Sequence, residues 1–432
     1  MAIQTNTGTD IKEAFIRAFA PEAPNGQPIA PAVKESAAAA LQALQFPHKK
    51  NEAWKYTPVQ PLVSKAYIPA EATEPEDISP FLIPELEADV LVYINGKFSS
   101  AHSQIQHNKQ LCIESLRQLS SQGKAVVEAH FGKLLNKDDI FAALNTAYAK
   151  DGTLVYVPKG TVAAAPIHII QLTLPGQAAC SLQHRNLFVV EPLAEAKVVE
   201  SFYSLSTVPS LRNAGTEIFV GENAGLEYVK LQLEQHTASQ IDHTEVSQAR
   251  HSRFSIFTIT LNGDTVRNDL QIHLDGTETE THLMGIYLLS GKQHVDNYTQ
   301  ILHKQPHCYS NELYKGIVAD QATAAFSGKI HVFQQAQKTN AFQSNRNILL
   351  SKSANAYTRP QLEIYADDVK CSHGATTGKL EEDAMFYLRS RGIPEKQARK
   401  MLIHAFAGEV VEQISLEAVR TYLESLIASR YE

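Results

Sequence analysis

The residues best suited to chemistry lie in one short run, 365–378, which contains two aspartates, a cysteine and a histidine. Cys371 and His373 are two positions apart, so on a β-strand the thiol and the imidazole would project from the same face. Thiolate and imidazole are ligands that suit iron, zinc or copper. Two ligands cannot complete a four-coordinate site, and no third cysteine or histidine lies nearby in the sequence. The pair therefore fits either part of a metal site completed from elsewhere or a buried cysteine beside a hydrogen-bonded histidine.

The two aspartates of this run, Asp367 and Asp368, are the other candidates for chemistry. Neighbouring residues on a regular strand point to opposite faces, so these carboxylates could act together only if a β-bulge turned one of them. Adjacent acids beside a turn are typical of a solvated surface. Elsewhere the sequence has no glycine-rich phosphate loop leading into a Lys-Ser or Lys-Thr pair, and no Gly-x-Ser-x-Gly motif. These absences argue against an ATPase and a serine hydrolase.

The composition argues against two further classes. The 432 residues carry 39 Lys and Arg against 46 Asp and Glu, a formal charge of −7, with the two signs interleaved along the chain. No basic stripe is present to displace the counterions of a nucleic acid, so we expect no nucleic-acid partner. No apolar run reaches the roughly 18 residues of a membrane span, and no signal peptide is visible. We therefore expect a soluble, cytoplasmic protein without a membrane partner.

The four cysteines, Cys112, Cys180, Cys308 and Cys371, are scattered along the chain. No pair has the short spacing of a zinc or iron–sulfur ligand loop, and four thiols in a chain of this length make no disulfide framework. The sequence therefore does not predict a metal site contained within this chain. A site shared with a second chain stays open.

The central zone that must position Cys371 and His373 is predicted to be β-structure. From 151 to 379 the chain has many short β-branched and aromatic runs separated by turn signals, and almost no helical period. Such a zone must be a sandwich, a barrel, a propeller or a solenoid. Ragged repeats at 322–330 and 340–348 favour stacked coils.

Helical regions are predicted on both sides of this zone. Apolar residues at helical spacing indicate helices in an N-terminal helical or mixed region, 1–150, and again in a C-terminal helical region, 380–432. The C-terminal stripe either caps the β-zone or docks into a groove on a partner, and the sequence alone leaves both open. Its candidates for a partner contact are Met401, Leu402, Phe406 and Leu423.

Two motifs resemble a known family. The first is Asn-Glu-Ala-Trp-Lys-Tyr-Thr at 51–57, and the second is the run at 359–378, which continues into Phe-Tyr-Leu-Arg-Ser-Arg-Gly-Ile at 386–393. On these motifs the sequence resembles the SufB/SufD family of the SUF iron–sulfur cluster assembly machinery. The resemblance spans the chain, is strongest over about 340–393 and is weak over about 60–150. Gly374, where SufB-type members typically carry Glu, places the likeness with the SufD-type members.

The resemblance implies a mainly β fold, a right-handed parallel β-helix (a single-stranded solenoid) flanked by N-terminal and C-terminal helical regions. It also implies a scaffold subunit with no catalytic turnover of its own, paired with a SufB-like paralogue through the β-helices. That pairing would cover an open sheet edge. A SufC-like ABC ATPase would dock on the C-terminal helices, and by position the contact falls on Met401, Leu402, Phe406 and Leu423.

The resemblance also gives the Cys371 and His373 pair a role. His373 matches the family histidine that works with a SufB cysteine at the heterodimer interface, where a cluster is built, and Cys371 joins it as a second candidate. We expect no cofactor held stably by this chain alone, only transient iron or an iron–sulfur cluster at the interface. Flavin is associated with such complexes, but no flavin motif is present in the sequence.

Two alternatives belong to other classes. One is a carbohydrate-active β-helix enzyme of the polygalacturonase kind, which Asp367, Asp368 and His373 superficially fit. The missing secretion signal, the absence of disulfide-like cysteine pairs and the helical C-terminus argue against it. The other is a homodimeric structural scaffold with no metal role. If the chain is a SufD-type subunit, an isolated copy could also self-associate through the same β-helix edge.

Overall fold

The computed structural model describes residues 8–19, 30–70, 74–174 and 176–430. The helices in these ranges are α1 (Gly8–Phe19), α2 (Pro31–Ala43), α3 (Gln60–Val63), α4 (Ser121–His130), α5 (Ile140–Tyr148), α6 (Glu382–Ser390), α7 (Glu395–Val411) and α8 (Glu417–Arg430), with 3-10 turns at Glu52–Trp54 and Ser79–Phe81. None of these helices is both long and apolar enough to cross a membrane.

The strands in the described ranges run from β1 to β20. They are β1 (Ile68–Pro69), β2 (Asp89–Ile94), β3 (Lys97–Gln104), β4 (Cys112–Ser115), β5 (Thr153–Val157), β6 (Ile167–Thr173), β7 (Cys180–Val190), β8 (Glu195–Ser204), β9 (Ser210–Val220), β10 (Gly225–Gln232), β11 (Ala238–Gln248), β12 (Arg253–Thr260), β13 (Thr265–Leu274), β14 (Glu280–Leu289), β15 (His294–His303), β16 (Tyr309–Val318), β17 (Thr323–Val332), β18 (Asn340–Leu349), β19 (Asn355–Ile364) and β20 (Lys370–Gly378).

From β5 onward the strands alternate between two parallel sheets. Sheet A has the order β19-β17-β15-β13-β11-β9-β7-β5-β4, with β1 on β7, and sheet B has the order β20-β18-β16-β14-β12-β10-β8-β6-β2-β3. Paired residues in neighbouring coils are 26 to 33 positions apart, as in Gln240 with Val266 and Leu154 with Leu187. The predicted parallel β-solenoid, mainly β and flanked by helices, is therefore confirmed.

The N-terminal region closes one end of the solenoid. Strands β2, β3 and β4 lie within the predicted N-terminal part, 1–150, yet they belong to the two sheets. β3 pairs antiparallel with β2, and β4 pairs antiparallel with β5. This reversal ends the parallel stacking, so the first coil has neighbours that differ from every later one.

Most strands are buried on both faces, as expected of a parallel sheet covered by helices. Alternate residues point into the lumen between the sheets, where residues such as Phe188, Ile256 and Ile301 form one continuous apolar core. The outer face of sheet B is covered by α7 and α8, which bury Ile403 and Val410 against the strands. Helices α1, α2 and α5 pack with residues of sheet A in a third apolar cluster.

One turn of each coil is held by a left-handed residue. It lies two positions before a strand of sheet B, and its N–H donates to a carbonyl of the next coil's turn, at 2.9 Å from His251 to Thr277 and from His307 to Gln337. These bonds offset the roughly 1 kcal/mol that a left-handed backbone costs a non-glycine residue. The residues with this positive φ are Leu193, Asn223, His251, Glu278, His307 and Lys338.

The motif at 51–57 joins the N-terminal region to the outer face of sheet A. Trp54 is buried, and the Arg267 guanidinium lies 4.0 Å from the centre of its ring. Thr57 hydrogen-bonds with Asp296, which also pairs with Arg267. Tyr56 stacks on a tyrosine of the last coil, with ring centres 4.6 Å apart. The motif therefore has a structural role that reaches from the middle of the solenoid to its C-terminal end.

We predict that Arg267→Met lowers the free energy of unfolding by about 3 kcal/mol, because it leaves the carboxylates of Asp296 and Asp269 without their buried partner. Chemical denaturation measures this change. Arg253→Met is the matched control, since the Arg253–Glu195 pair is about half exposed on both sides and its loss should cost less than about 1 kcal/mol. Equal losses in the two variants would contradict the role of Arg267 in joining the 51–57 motif to sheet A.

Candidate functional site

The C-terminal end of the solenoid is open. Strands β19 and β20 are the last members of their sheets, and on their outer sides neither pairs with a further strand in the described ranges. Lumen positions that are fully buried in earlier coils become half-buried or exposed in these two strands. The last coil therefore presents unpaired backbone groups of both sheets and the mouth of the lumen to its surroundings.

Cys371 and His373 lie on the lumen face of this last coil. In β20, Cys371 is in register with Ala341 of β18, and His373 with Gln343. Ala341 and Gln343 are buried lumen residues, at 0% and 3% exposure. The structure therefore places the thiol and the imidazole on one face, as the two-residue spacing predicts, and it places that face at the open mouth.

The two side chains have different surroundings. His373 is exposed because no coil covers it. Cys371 is half-buried and packs against the apolar lumen core, and this burial raises the pKa of its thiol above the ordinary value. Since the thiolate is the form that binds metals, the geometry favours His373 as the ligand of the pair.

Within the described ranges, no three His, Cys, Asp or Glu side chains come together in a group that could hold a metal ion. His373 and Cys371 could act as ligands only with groups from another molecule. Their role in metal or cluster binding stays a prediction.

The adjacent aspartates belong to the turn before β20. Both side chains are exposed. The backbone of Asp368 holds the turn in place, because its carbonyl accepts from the N–H of Lys338 and its own N–H donates to the side chain of Gln337 at 2.9 Å. Asp368 thus ends the column of stacked turns. This position explains the acids as part of a solvated turn, so the geometry gives the polygalacturonase interpretation no support.

The predicted docking stripe on the C-terminal helices needs a correction. Leu423 is fully buried, in the cluster that joins α8 to sheet B, so it cannot contact a partner without opening that core. Leu402 and Phe406 are half-buried, and only Met401 is substantially exposed, at 45%. Helical periodicity identified an apolar stripe correctly, but most of the stripe caps this chain's own β-zone.

A different apolar surface is exposed on α6. Phe386 and Tyr387 are 74% and 57% exposed, and no residue of α6 is buried. These two side chains form what we call the α6 face. The run 386–393 carries part of the family resemblance, but the helical pattern did not predict Phe386 and Tyr387 as contact residues. The signal that could have found them is the pair of adjacent aromatics beside Arg389 and Arg391, outside the buried stripe.

Comparisons with known proteins agree with this architecture. Residues 173–406 match the SUF system FeS cluster assembly, SufBD core domain, and residues 24–169 match the SufBD protein N-terminal region. The chain therefore belongs to the SufB/SufD family of SUF iron–sulfur cluster assembly proteins, as the sequence motifs predicted.

Individual relatives extend over most of the chain. An iron–sulfur cluster assembly SufBD family protein of Synechocystis is 34% identical over 92% of this chain and 90% of its own length. The iron–sulfur cluster assembly protein SufD of Escherichia coli is 30% identical over 89% of both chains. SufD of Bacillus subtilis is 28% identical over 78% of this chain and 79% of its own.

We predict that Cys371 reacts with iodoacetamide at pH 8 more slowly than a cysteine in an unfolded peptide, because its raised pKa lowers the thiolate fraction. The rate should keep rising above pH 9. Cys112, Cys180 and Cys308 are buried and serve as internal controls that should react more slowly still. Peptide mass spectrometry over time gives all four rates, and a Cys371 rate above that of the peptide would contradict this account.

Proposed function

We propose that this chain is a SufD-type scaffold subunit, with no catalytic turnover of its own, in a SUF iron–sulfur cluster assembly complex. It pairs with a SufB-like paralogue through the open end of its solenoid and with a SufC-like ABC ATPase through its C-terminal helices. The observation that carries the proposal is the uncapped last coil with His373 at its mouth, in a chain of the SufB/SufD family.

The open coil is suited to a partner with the same coil geometry. Both sheets end there in unpaired strands, and edges of this kind bind added strands through main-chain hydrogen bonds. Phe342, Tyr357 and Ile364 add partly exposed apolar surface beside the edges, at 36%, 43% and 39% exposure. A second β-solenoid can continue both sheets and enclose the lumen, which brings its own side chains over His373. Without the paralogue, a second copy of this chain can occupy the same edge.

His373 then contributes one ligand of a shared site. The imidazole suits iron, and the missing ligands, cysteines among them, come from the SufB-like chain. The iron or nascent cluster is cargo that is built at the interface and passed on, and this chain alone holds no cluster. Cys371 lies beside His373 as a thiol, which suits a supporting role more than that of a primary ligand.

The α6 face, made by Phe386 and Tyr387, is the proposed contact for the ATPase. These exposed aromatics are anchors of the kind that dominate binding energy in interfaces. Helices α7 and α8 are fixed to sheet B by their buried stripes. A force applied to α6 therefore reaches the strands through these helices, and ATP-driven movement of the ATPase can rearrange the interface where His373 lies.

We expect His373→Ala to reduce cluster formation by the purified complex about ten-fold or more, because it removes a ligand that no neighbouring group replaces. Cluster formation is measured by iron and acid-labile sulfide content after anaerobic reconstitution or expression. His236→Ala, at an exposed turn far along the chain, is the control and should retain full activity. Unchanged cluster content in His373→Ala would refute the site.

We expect Phe386→Asp to weaken capture of the ATPase by about ten-fold or more while capture of the paralogue is kept, since the change removes one aromatic anchor from α6 alone. Pull-down from co-expressing cells, followed by titration of the purified ATPase, measures both contacts. Ser425→Asp, an exposed position on α8, is the control. Equal capture by the Phe386 variant and the control would exclude the α6 face.

A further inference from the structure

A column of polar side chains lies directly beneath His373 in the lumen. Glu312 of β16 is in register with Gln343 of β18, and Gln343 is in register with His373 of β20. Neighbouring strands lie about 4.8 Å apart, so the three side chains follow one another on the same lumen face at that spacing. His373 is the exposed end of the column, and Glu312 is its fully buried end.

The amide of Gln343 is held in one orientation by Glu312. Gln343 Nε2 donates to Glu312 Oε2 at 2.7 Å, and the hydroxyl of Thr299 donates to Glu312 Oε1 at 2.6 Å. Both oxygens of Glu312 act as acceptors here, so the donor end of the amide faces Glu312. The carbonyl end of Gln343 faces away from it.

That carbonyl oxygen is an orphan. Gln343 Oε1 is buried and has no hydrogen-bond partner among the described residues. A buried acceptor without a partner costs about 1–3 kcal/mol, so the site calls for a donor. Gly328 leaves room for this amide: a Cβ there would lie 2.3 Å from Gln343 Nε2, so a larger residue would force the amide to move.

In the structure the imidazole of His373 does not bond to this oxygen. We propose that the exposed His373 side chain turns toward Gln343 and donates a ring N–H to Gln343 Oε1, and that Gln343, held by Glu312, is a positioning residue for His373. The bond leaves the second ring nitrogen as a bare lone pair that faces the open mouth. A histidine ligand whose other N–H is held by a carbonyl is the usual arrangement at metal sites. This inference deepens the proposed function and rests on it for the purpose of the lone pair, but the hydrogen bond itself belongs to the isolated chain.

The test is a ¹H–¹⁵N correlation spectrum of the full chain labelled with ¹⁵N only at the histidine side chains. An exposed imidazole N–H exchanges with water too fast to give a cross-peak, whereas one bonded to a carbonyl is protected. We expect a cross-peak that disappears in His373→Ala, which assigns it, and in Gln343→Met, which removes the acceptor at similar volume. Absence of any such cross-peak in the unmodified chain overturns the proposal.

The matched control is Gln240→Met. Gln240 is also a fully buried glutamine of β11 with an unpartnered Oε1, and it lies several coils away from β20. Its replacement should leave the His373 cross-peak in place. A cross-peak that survives Gln343→Met, or is lost equally in Gln240→Met, overturns the proposal.

A second variant keeps the test decisive if Gln343→Met does not fold. In Glu312→Gln the new amide can donate as well as accept, so Gln343 is no longer locked and exchange of the His373 N–H should speed up at least about three-fold. An unchanged exchange rate overturns the proposal. Normal cluster formation by His373→Ala would refute the proposed function and would leave the cross-peak result standing on its own.

Discussion

The structure depends on one constraint: each strand of a parallel solenoid needs a neighbouring coil on both sides to satisfy its backbone N–H and C=O groups. Inside the array the coils supply one another, and at the N-terminal end β3 and β4 reverse direction and close the sheets. At the C-terminal end the described chain supplies nothing further for β19 and β20. Cys371 and His373 lie at that end, so the unsatisfied edge and the proposed site coincide.

The helices follow from the same constraint. Each sheet buries one face in the lumen, so its other face must be covered as well. Helices α7 and α8 cover sheet B, and the N-terminal helices cover sheet A. The Arg267–Trp54 contact shows how a polar anchor is used where an apolar one would leave carboxylates unpaired. The open coil and the α6 face are the surfaces that we propose for recognition.

Local patterns were sufficient for a mainly β central zone and for the face shared by Cys371 and His373, because both depend on strand alternation and turn residues. The choice of a parallel β-helix among the possible β architectures came from the family resemblance. The sequence was insufficient for Leu423, since a helical stripe looks the same whether it covers its own sheet or a partner. It also missed Phe386 and Tyr387, whose exposure depends on where α6 is placed. The column of Glu312, Gln343 and His373 could not be derived from the chain, because coils of unequal length hide which residues stack.

The left-handed turn residues have a consequence for how such a chain can change. Coil length varies, yet each of these residues lies two positions before its sheet B strand, so the step from the turn into the strand is the same in each case. Much of the difference in length is taken up just before these residues: the left-handed residue lies three positions after the end of β7, β9 and β11 but six positions after the end of β17. The position of the left-handed residue therefore sets which residues of the following sheet B strand face the lumen. Residues inserted between the end of β17 and Lys338 leave the stacking beneath His373 intact, whereas one residue inserted between Lys338 and Asn340 would turn every lumen side chain of β18 outward.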